Sequence, residues 1–247
     1  SLITGSHRAH HQVLAKTLMA LWPDTFDPTE AGAVPEDMQI EIQGMLAEIL
    51  GLANGWMGGR GGSMHLRRDA VGVKGTNAIV AGGLPIACGL AWAEKVRASG
   101  RVVATFFGDG AVHQGTTHEA MNLAALYQLP VLFFLENNQY SVSMSISEST
   151  RETNLLTRPI AHGIPAVRVD GMDALAVRDV TSWAHARLTG GGGEEPGPVL
   201  IQADVYRYYH QSSPVVGSAF GYRSKTEEDA WRARDQVESF HERCRAS

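Results

Sequence analysis

Apolar runs alternate with helix-period segments through most of this chain. The clearest runs are Val102 to Phe107 and Val131 to Leu135, short and rich in β-branched and aromatic residues, as buried parallel strands are. Between them Ala120, Leu123, Ala124 and Tyr127 recur at spacings of three and four, which predicts a helix with those residues facing inward. Upstream, a helix is expected to about Leu21. A second, opened by Pro35-Glu36-Asp37, carries Met38, Ile42, Met45, Leu46, Ile49 and Leu50 on its apolar face. The Ala/Gly-rich stretch Asn77 to Val96 predicts a helix packed closely on another, across a subunit boundary. Downstream come a strand at Ala166 to Val169, a helix at Ala174 to Leu188 with Leu175, Val177, Val180 and Ala184 inward, and a strand at Val199 to Tyr206. A charged terminal helix, Lys225 to Arg245, is expected to anchor through Trp231. This rhythm is that of an α/β fold, a parallel sheet flanked by helices, in one domain over residues 1–247.

The breaks in the pattern read as loops. Trp22 to Pro35 is rich in Pro, Asp and Thr. Gly55 to His65 holds too many glycines for regular structure. Ser141 to Thr157 has no sustained apolar period, Gly190 to Gly197 is a connector, and Pro214 to Arg223 reads as a mobile, lid-like loop. The opening SLITGSHRAHH starts abruptly, as though an upstream segment were missing.

Composition narrows the class. With 44% hydrophobic and 19% charged residues the 247-residue chain can bury a full core, and a net charge of −5 is the wrong sign for a nucleic-acid surface. Two distant cysteines, Cys88 and Cys244, suit free thiols in a reducing, cytoplasmic setting. No apolar run has membrane-spanning length, and no signal-peptide pattern is present.

The candidate chemistry lies where the two strong strands stop. The first ends at Gly108-Asp109-Gly110 and the second at Glu136-Asn137-Asn138, and ligands of open α/β sheets sit beyond such carboxyl ends. One carboxylate, one amide oxygen and backbone carbonyls suit Mg²⁺, which completes its octahedron with phosphate and water oxygens. Gly110 lets the backbone approach an anion, and with Ala111 it leads into a helix N-terminus that offers free N–H groups. Each motif alone is also an ordinary turn; both together, on either side of one helix, favour a magnesium–diphosphate ligand. No Gly-rich Lys-Ser/Thr phosphate loop appears, which counts against a nucleotide hydrolase. His7, Arg8, His10 and His11 form a polar cluster that reads either as a solvated helix start or as metal ligands.

The stretch GDGAVHQGTTHEAMNLAALYQLPVLFFLENNQY resembles the thiamine-diphosphate fingerprint, and its wider wording is similar to the alpha subunit of two-chain 2-oxo acid dehydrogenases acting on pyruvate, branched-chain oxo acids or acetoin. GGRGGSMHL, RVDGMD and YRYY extend the resemblance across nearly the whole chain. It implies the diphosphate-binding half of the thiamine-diphosphate fold. Mg²⁺ would be held by Asp109, Asn138 and the Tyr140 carbonyl, and the diphosphate would meet Arg8, Gly110 and Ala111. The aminopyrimidine would lie against Ala78 and Val80. Ser63 and His65 would line the approach, though a structural His65 is as good a reading.

Two departures stand out. His7 occupies a position where relatives carry Tyr, and Tyr206 to Ser213 replaces a His-Gly-His-Ser run whose second His approaches the reacting carbon. His210 takes that place if one residue is deleted, Gln211 if none is; His210, with His7, is the expected catalytic imidazole. The resemblance further implies a beta subunit supplying the pyrimidine-binding domain and the activating glutamate, an assembly of two alpha and two beta chains, and a lipoyl-bearing acyltransferase that receives the acyl group. A split transketolase-like carboligase subunit and a non-catalytic scaffold of the same fold are the alternatives.

Overall fold

A computed structural model describes residues 1–23, 34–193 and 195–246. Most of the expected loop from Trp22 to Pro35 lies outside the described residues. In chain order the main elements are β1 (Leu2–Ser6), α1 (His10–Leu21), α2 (Glu36–Ile49), β2 (Val73–Asn77), α3 (Gly83–Val96), β3 (Val103–Gly108), α4 (Gly115–Leu126) and β4 (Val131–Asn137). There follow β5 (Tyr140–Ser141), β6 (Met144–Ser145), α5 (Ile146–Ser149), α6 (Thr157–Ala161), β7 (Ala166–Asp170), α7 (Ala174–Leu188), β8 (Val199–Asp204), α8 (Lys225–Arg232) and α9 (Gln236–Ala246).

Six strands pair in parallel in the order β2-β1-β3-β4-β8-β7, and β5 and β6 form a small antiparallel pair. Alternation along β3 shows why helices cover both faces. Val103 and Phe107 enter a cluster with Leu84, Ala87 and Ala91 of α3 and Ala120, Met121 and Ala124 of α4, while Ala104 and Phe106 meet clusters built by α1, α2 and α7. Phe107 and Phe133 are almost wholly buried, each stabilising the core by about 2–3 kcal/mol.

The structure departs from the sequence pattern in instructive places. β1 and β2 arise from segments that the apolar pattern did not mark as strands, and β1 lies between β2 and β3. α4 buries Thr117, Ala120, Met121 and Ala124, whereas Leu123 and Tyr127 turn outward, because small residues let α4 lie close to α3. α2 buries Glu41 and Glu48 and exposes Leu46 and Leu50. In α7 only Ala184 and Leu188 are fully buried. The terminal helix is broken after Arg232, and Asp235 accepts the N–H of Val237 at 2.9 Å to start α9. Among the described residues no helix is long and apolar enough to cross a membrane.

Candidate functional site

The carboxyl ends of β1, β3 and β4 open into a cleft of about 670 Å³. Connections leave β1 towards β2 on one side while β3 lies on the other, so the cleft sits where the strand order reverses, the usual ligand crevice of such sheets. β1 ends in a turn through Arg8, whose φ of 54° is left-handed, and this turn delivers His7 and Arg8 into the cleft.

Gly108 pairs with Glu136 across β3 and β4, so Asp109 leaves the sheet beside Asn137 and Asn138, and the Asn138 N–H reaches the Asp109 carboxylate. The paired asparagines divide their work. Asn137 donates through Nδ2 to Asp204 Oδ1 at 2.8 Å, tying β4 to β8, while Asn138 lines the cleft and its Oδ1 accepts the Tyr140 N–H at 3.3 Å. Asp109 is only 2% exposed. Burial raises its pKa; its own N–H, the Asn138 N–H, the Arg207 guanidinium and the Ser141 hydroxyl all oppose that rise.

A Cβ on Gly110 would lie 2.2 Å from Ser141 Oγ, so any larger residue there displaces the Ser141 side chain. A 3₁₀ turn, Asp109–His113, intervenes before α4, so Gly110 and Ala111, which line the cleft, belong to that turn and not to the helix end expected from sequence. Backbone strain gathers here. Arg8, Ala81 and Val142 line the cleft with positive φ, and Gln139, between Asn138 and Tyr140, shares that conformation at φ 70°.

The structure brings His7, Arg8, Val80, Asp109, Gly110, Ala111, Asn138, Tyr140, His210 and Gln211 into one lining. Ala78 does not line it; its neighbours Asn77 and Ile79 do. Ser63 and His65 also lie outside it, although Ser63 presents its carbonyl and its hydroxyl to His10 Nε2, each at 3.0 Å. Among the described residues no three His, Cys, Asp or Glu side chains converge on a metal position, so the His7–His11 cluster is not one.

Three contributors went unread in the sequence. Arg207 lies close enough to Asp109 to favour its ionised form, donates to Gln211 Oε1 at 2.8 Å, and keeps a buried Nε without a partner. Arg223 is buried among the Tyr140, Tyr206 and Tyr222 rings. It pins the segment expected to act as a lid. Glu48 organises the glycine-rich loop: Oε2 accepts from Met57 at 2.7 Å and Gly59 at 2.9 Å, and Oε1 from Gly61 at 2.7 Å and Gly62 at 3.3 Å. Burial raises the Glu48 pKa, but the four N–H donors outweigh it and leave the carboxyl below its ordinary range. An acid followed eleven to fourteen residues later by glycines was the available signal.

One carboxylate, one amide oxygen whose second lone pair is left over, an orphaned guanidinium N–H and a close-packed glycine turn form a donor set suited to a hydrated divalent ion carrying a phosphate ester. The residues present therefore fit the magnesium–diphosphate group expected from the sequence.

Comparison with known proteins places the chain in a family. The chain is 36% identical over 239 residues to the alpha subunit of acetoin:2,6-dichlorophenolindophenol oxidoreductase from Bacillus subtilis (strain 168), a match covering 96% of this chain and 63% of that subunit. It is 40% identical over 183 residues to the pyruvate dehydrogenase E1 component subunit alpha of Zymomonas mobilis, covering 74% of this chain and 50% of that one. The chain thus spans between half and two thirds of the length of these relatives. A transketolase from Campylobacter jejuni shares the fold, with a TM-score of 0.56 and 18% identity over 83% of this chain and 29% of that one. The dehydrogenase E1 component family matches residues 36–246, and this chain belongs to that family.

Proposed function

We propose that the chain is the alpha subunit of a thiamine-diphosphate- and magnesium-dependent dehydrogenase that acts on a small 2-oxo acid or on acetoin. One observation carries this reading: a single cleft groups buried Asp109, the Asn138 amide, the close-packed Gly110 and the Arg8 and Arg207 guanidinium groups. In this reading Asp109, Asn138 and the Tyr140 carbonyl hold Mg²⁺. Arg8, Gly110 and Ala111 take the diphosphate, and Val80, with the backbone near Ala78, walls the aminopyrimidine. When bound, thiamine diphosphate supplies the electron sink for cleavage beside the carbonyl. The chain's own residues anchor and orient it, and His7 and His210 are the imidazoles available to a developing oxyanion.

The activating carboxylate is assigned to a beta subunit. Apart from Asp109, the acid among the described lining residues is Glu136, and its Oε1 is already engaged by Gln12 Nε2 at 2.6 Å and His11 Nε2 at 3.3 Å. Ile79 and Val80, 72% and 52% exposed at the cleft edge, suit burial by that partner. A cytoplasmic heterotetramer that passes its acyl group to a lipoyl-bearing acyltransferase completes the proposal.

The test is calorimetry of thiamine diphosphate with Mg²⁺ on the chain co-purified with its partner, followed by a dye-reduction and CO₂-release screen over small oxo acids and acetoin. Asp109→Ala is expected to abolish metal-dependent binding. Unchanged affinity in that variant removes the metal assignment, and ketol transfer without CO₂ release or acetoin cleavage replaces the dehydrogenase with a carboligase.

A further inference from the structure

Three side chains at the cleft form a hydrogen-bonded chain whose direction can be worked out. Arg207 Nη1 donates to Gln211 Oε1 at 2.8 Å. A guanidinium has donors and no acceptor, so the amide oxygen of Gln211 must be the atom that faces it. The amide nitrogen then faces the other way, and it lies 2.6 Å from His7 Nε2. That nitrogen also carries only donors. Two donors cannot occupy one such contact, so His7 Nε2 must hold a lone pair and the ring proton must sit on Nδ1. The doubly protonated imidazolium is excluded on the same ground. The donor-only arginine at one end fixes both the amide orientation and the histidine tautomer.

The surroundings agree. Burial, then the neighbouring Arg8 charge, lowers the His7 pKa and favours the neutral ring. His7 shares the cleft lining with Asp109 and Asn138, and among the described residues no hydrogen bond engages its Nδ1. His210 is less available: its Nδ1 accepts the Ser212 N–H at 3.2 Å, and its ring centroid lies 4.3 Å from that of Phe220. His7 and a residue of the Tyr206–Ser213 stretch, the two departures noted in the sequence, meet in this one contact.

We propose that His7 is a neutral hydrogen-bond donor to the substrate, offering Nδ1–H to the carbonyl oxygen of a bound oxo acid or ketone, and that Gln211 is the positioning residue that holds it in that tautomer. This rests on the functional reading above. No proton is transferred in this role. The N–H is aimed at an oxygen that gains negative charge as its carbon is attacked, and a fixed neutral donor stabilises that charge without reorganisation.

The experiment uses ¹⁵N-histidine-labelled chain in complex with its partner subunit, the His7 signals being assigned by their loss in His7→Phe. In the wild type the expected spectrum shows a protonated Nδ1 and a bare Nε2 from about pH 6 to about pH 8. Gln211→Glu puts an acceptor-only carboxylate against Nε2, which is expected to draw the proton there or charge the ring. It is expected to lower kcat at least about tenfold, with KM changed by less than about threefold. A wild-type ring protonated at Nε2 overturns the proposal without any variant being needed; so does a kcat for His7→Phe within about twofold of wild type. Failure of the underlying functional reading has a separate signature, the absence of thiamine diphosphate binding by calorimetry.

Discussion

The guanidinium carbon of Arg223 lies 4.2 Å from the centre of the Tyr140 ring, and its Nη2 donates to the Asn138 carbonyl at 3.1 Å. A second face meets the Tyr206 ring at 4.4 Å, and Nη1 donates to the Arg207 carbonyl. One buried cation thus fastens the segment bearing Arg207, His210 and Gln211 to the turn bearing Asn138 and Tyr140.

Arg223→Met keeps most of the buried stem and removes that fastening. The expected cost is about 2–4 kcal/mol, the sum of lost cation–π contact and charge-assisted hydrogen bonds. Hydrogen exchange should show amides of residues 206–223 opening at least about tenfold faster, with the sheet unaffected. Unchanged exchange would show that the contact is energetically idle.

Glu48→Gln leaves one amide oxygen for four N–H donors and turns an NH₂ group towards two of them. The expected loss is about 3 kcal/mol on urea unfolding. The carboxyl of wild-type Glu48 sits below its ordinary value of 4.5 when folded, so its contribution is complete above that pH and fades as pH falls through the lowered folded value. Glu48→Gln should therefore flatten the acid limb of the stability curve. An unaltered limb refutes the assignment.

Glu228 offers a sharper pH test. It accepts from Arg232 Nε at 2.9 Å, from Lys225 Nζ at 3.2 Å and from Ser218, and its pKa falls from 4.5 to about 2, the Ser218 and Arg232 hydrogen bonds leading. The folded value being the lower one, its support is fully present above 4.5 and disappears as pH drops through about 2. Fluorescence of Trp231, followed with the other tryptophans replaced by Phe, should report loosening of α8 across that window in wild type and pH-independent loosening in Glu228→Gln.

Gly110→Ala tests the turn beside Asp109. Its Cβ would meet Ser141 Oγ at 2.2 Å and Ser141 Cβ at 3.0 Å, so Ser141 must move off the Asp109 carboxylate. Thiamine diphosphate affinity in the assembled protein should drop at least about tenfold while circular dichroism and Tm stay near wild type. Wild-type affinity would show that the close approach is incidental.

Sequence reading reached β3, β4 and the residues at their ends because a strand buried on both faces is a nearly continuous apolar run, and Val103 to Phe107 is one, broken only at Thr105. It missed β1 and β2 for the opposite reason. LITGS and VKGTN carry glycine and hydroxyl residues, and Thr4 and Thr76 satisfy their hydroxyls inside: Thr4 Oγ1 donates to Thr105 Oγ1 at 2.9 Å, and Thr76 Oγ1 to the Met64 carbonyl at 2.7 Å. Period alone cannot distinguish such strands from loops. α2 misled in the same way, since Glu41 is buried only because Arg68 reaches it from 27 residues away. Asp109, Gly110 and Asn138 were legible because they sit directly on strand ends. Arg207 and Arg223 were not, because their relevance comes from the chain returning, after β8, past the carboxyl ends of the other strands.

β1 has one further consequence, for the order in which the fold is completed. Leu2 pairs with Val103, about 100 residues later, and Ile3 with Val73. A ribosome delivering this chain releases β1 well before β2 and β3, its two neighbours in the sheet, so the strand that leads into His7 and Arg8 has both edges unpaired until residues 73–77 and then 103–108 have been made. The crevice cannot take shape until its two walls, made far apart in time, close around that first strand.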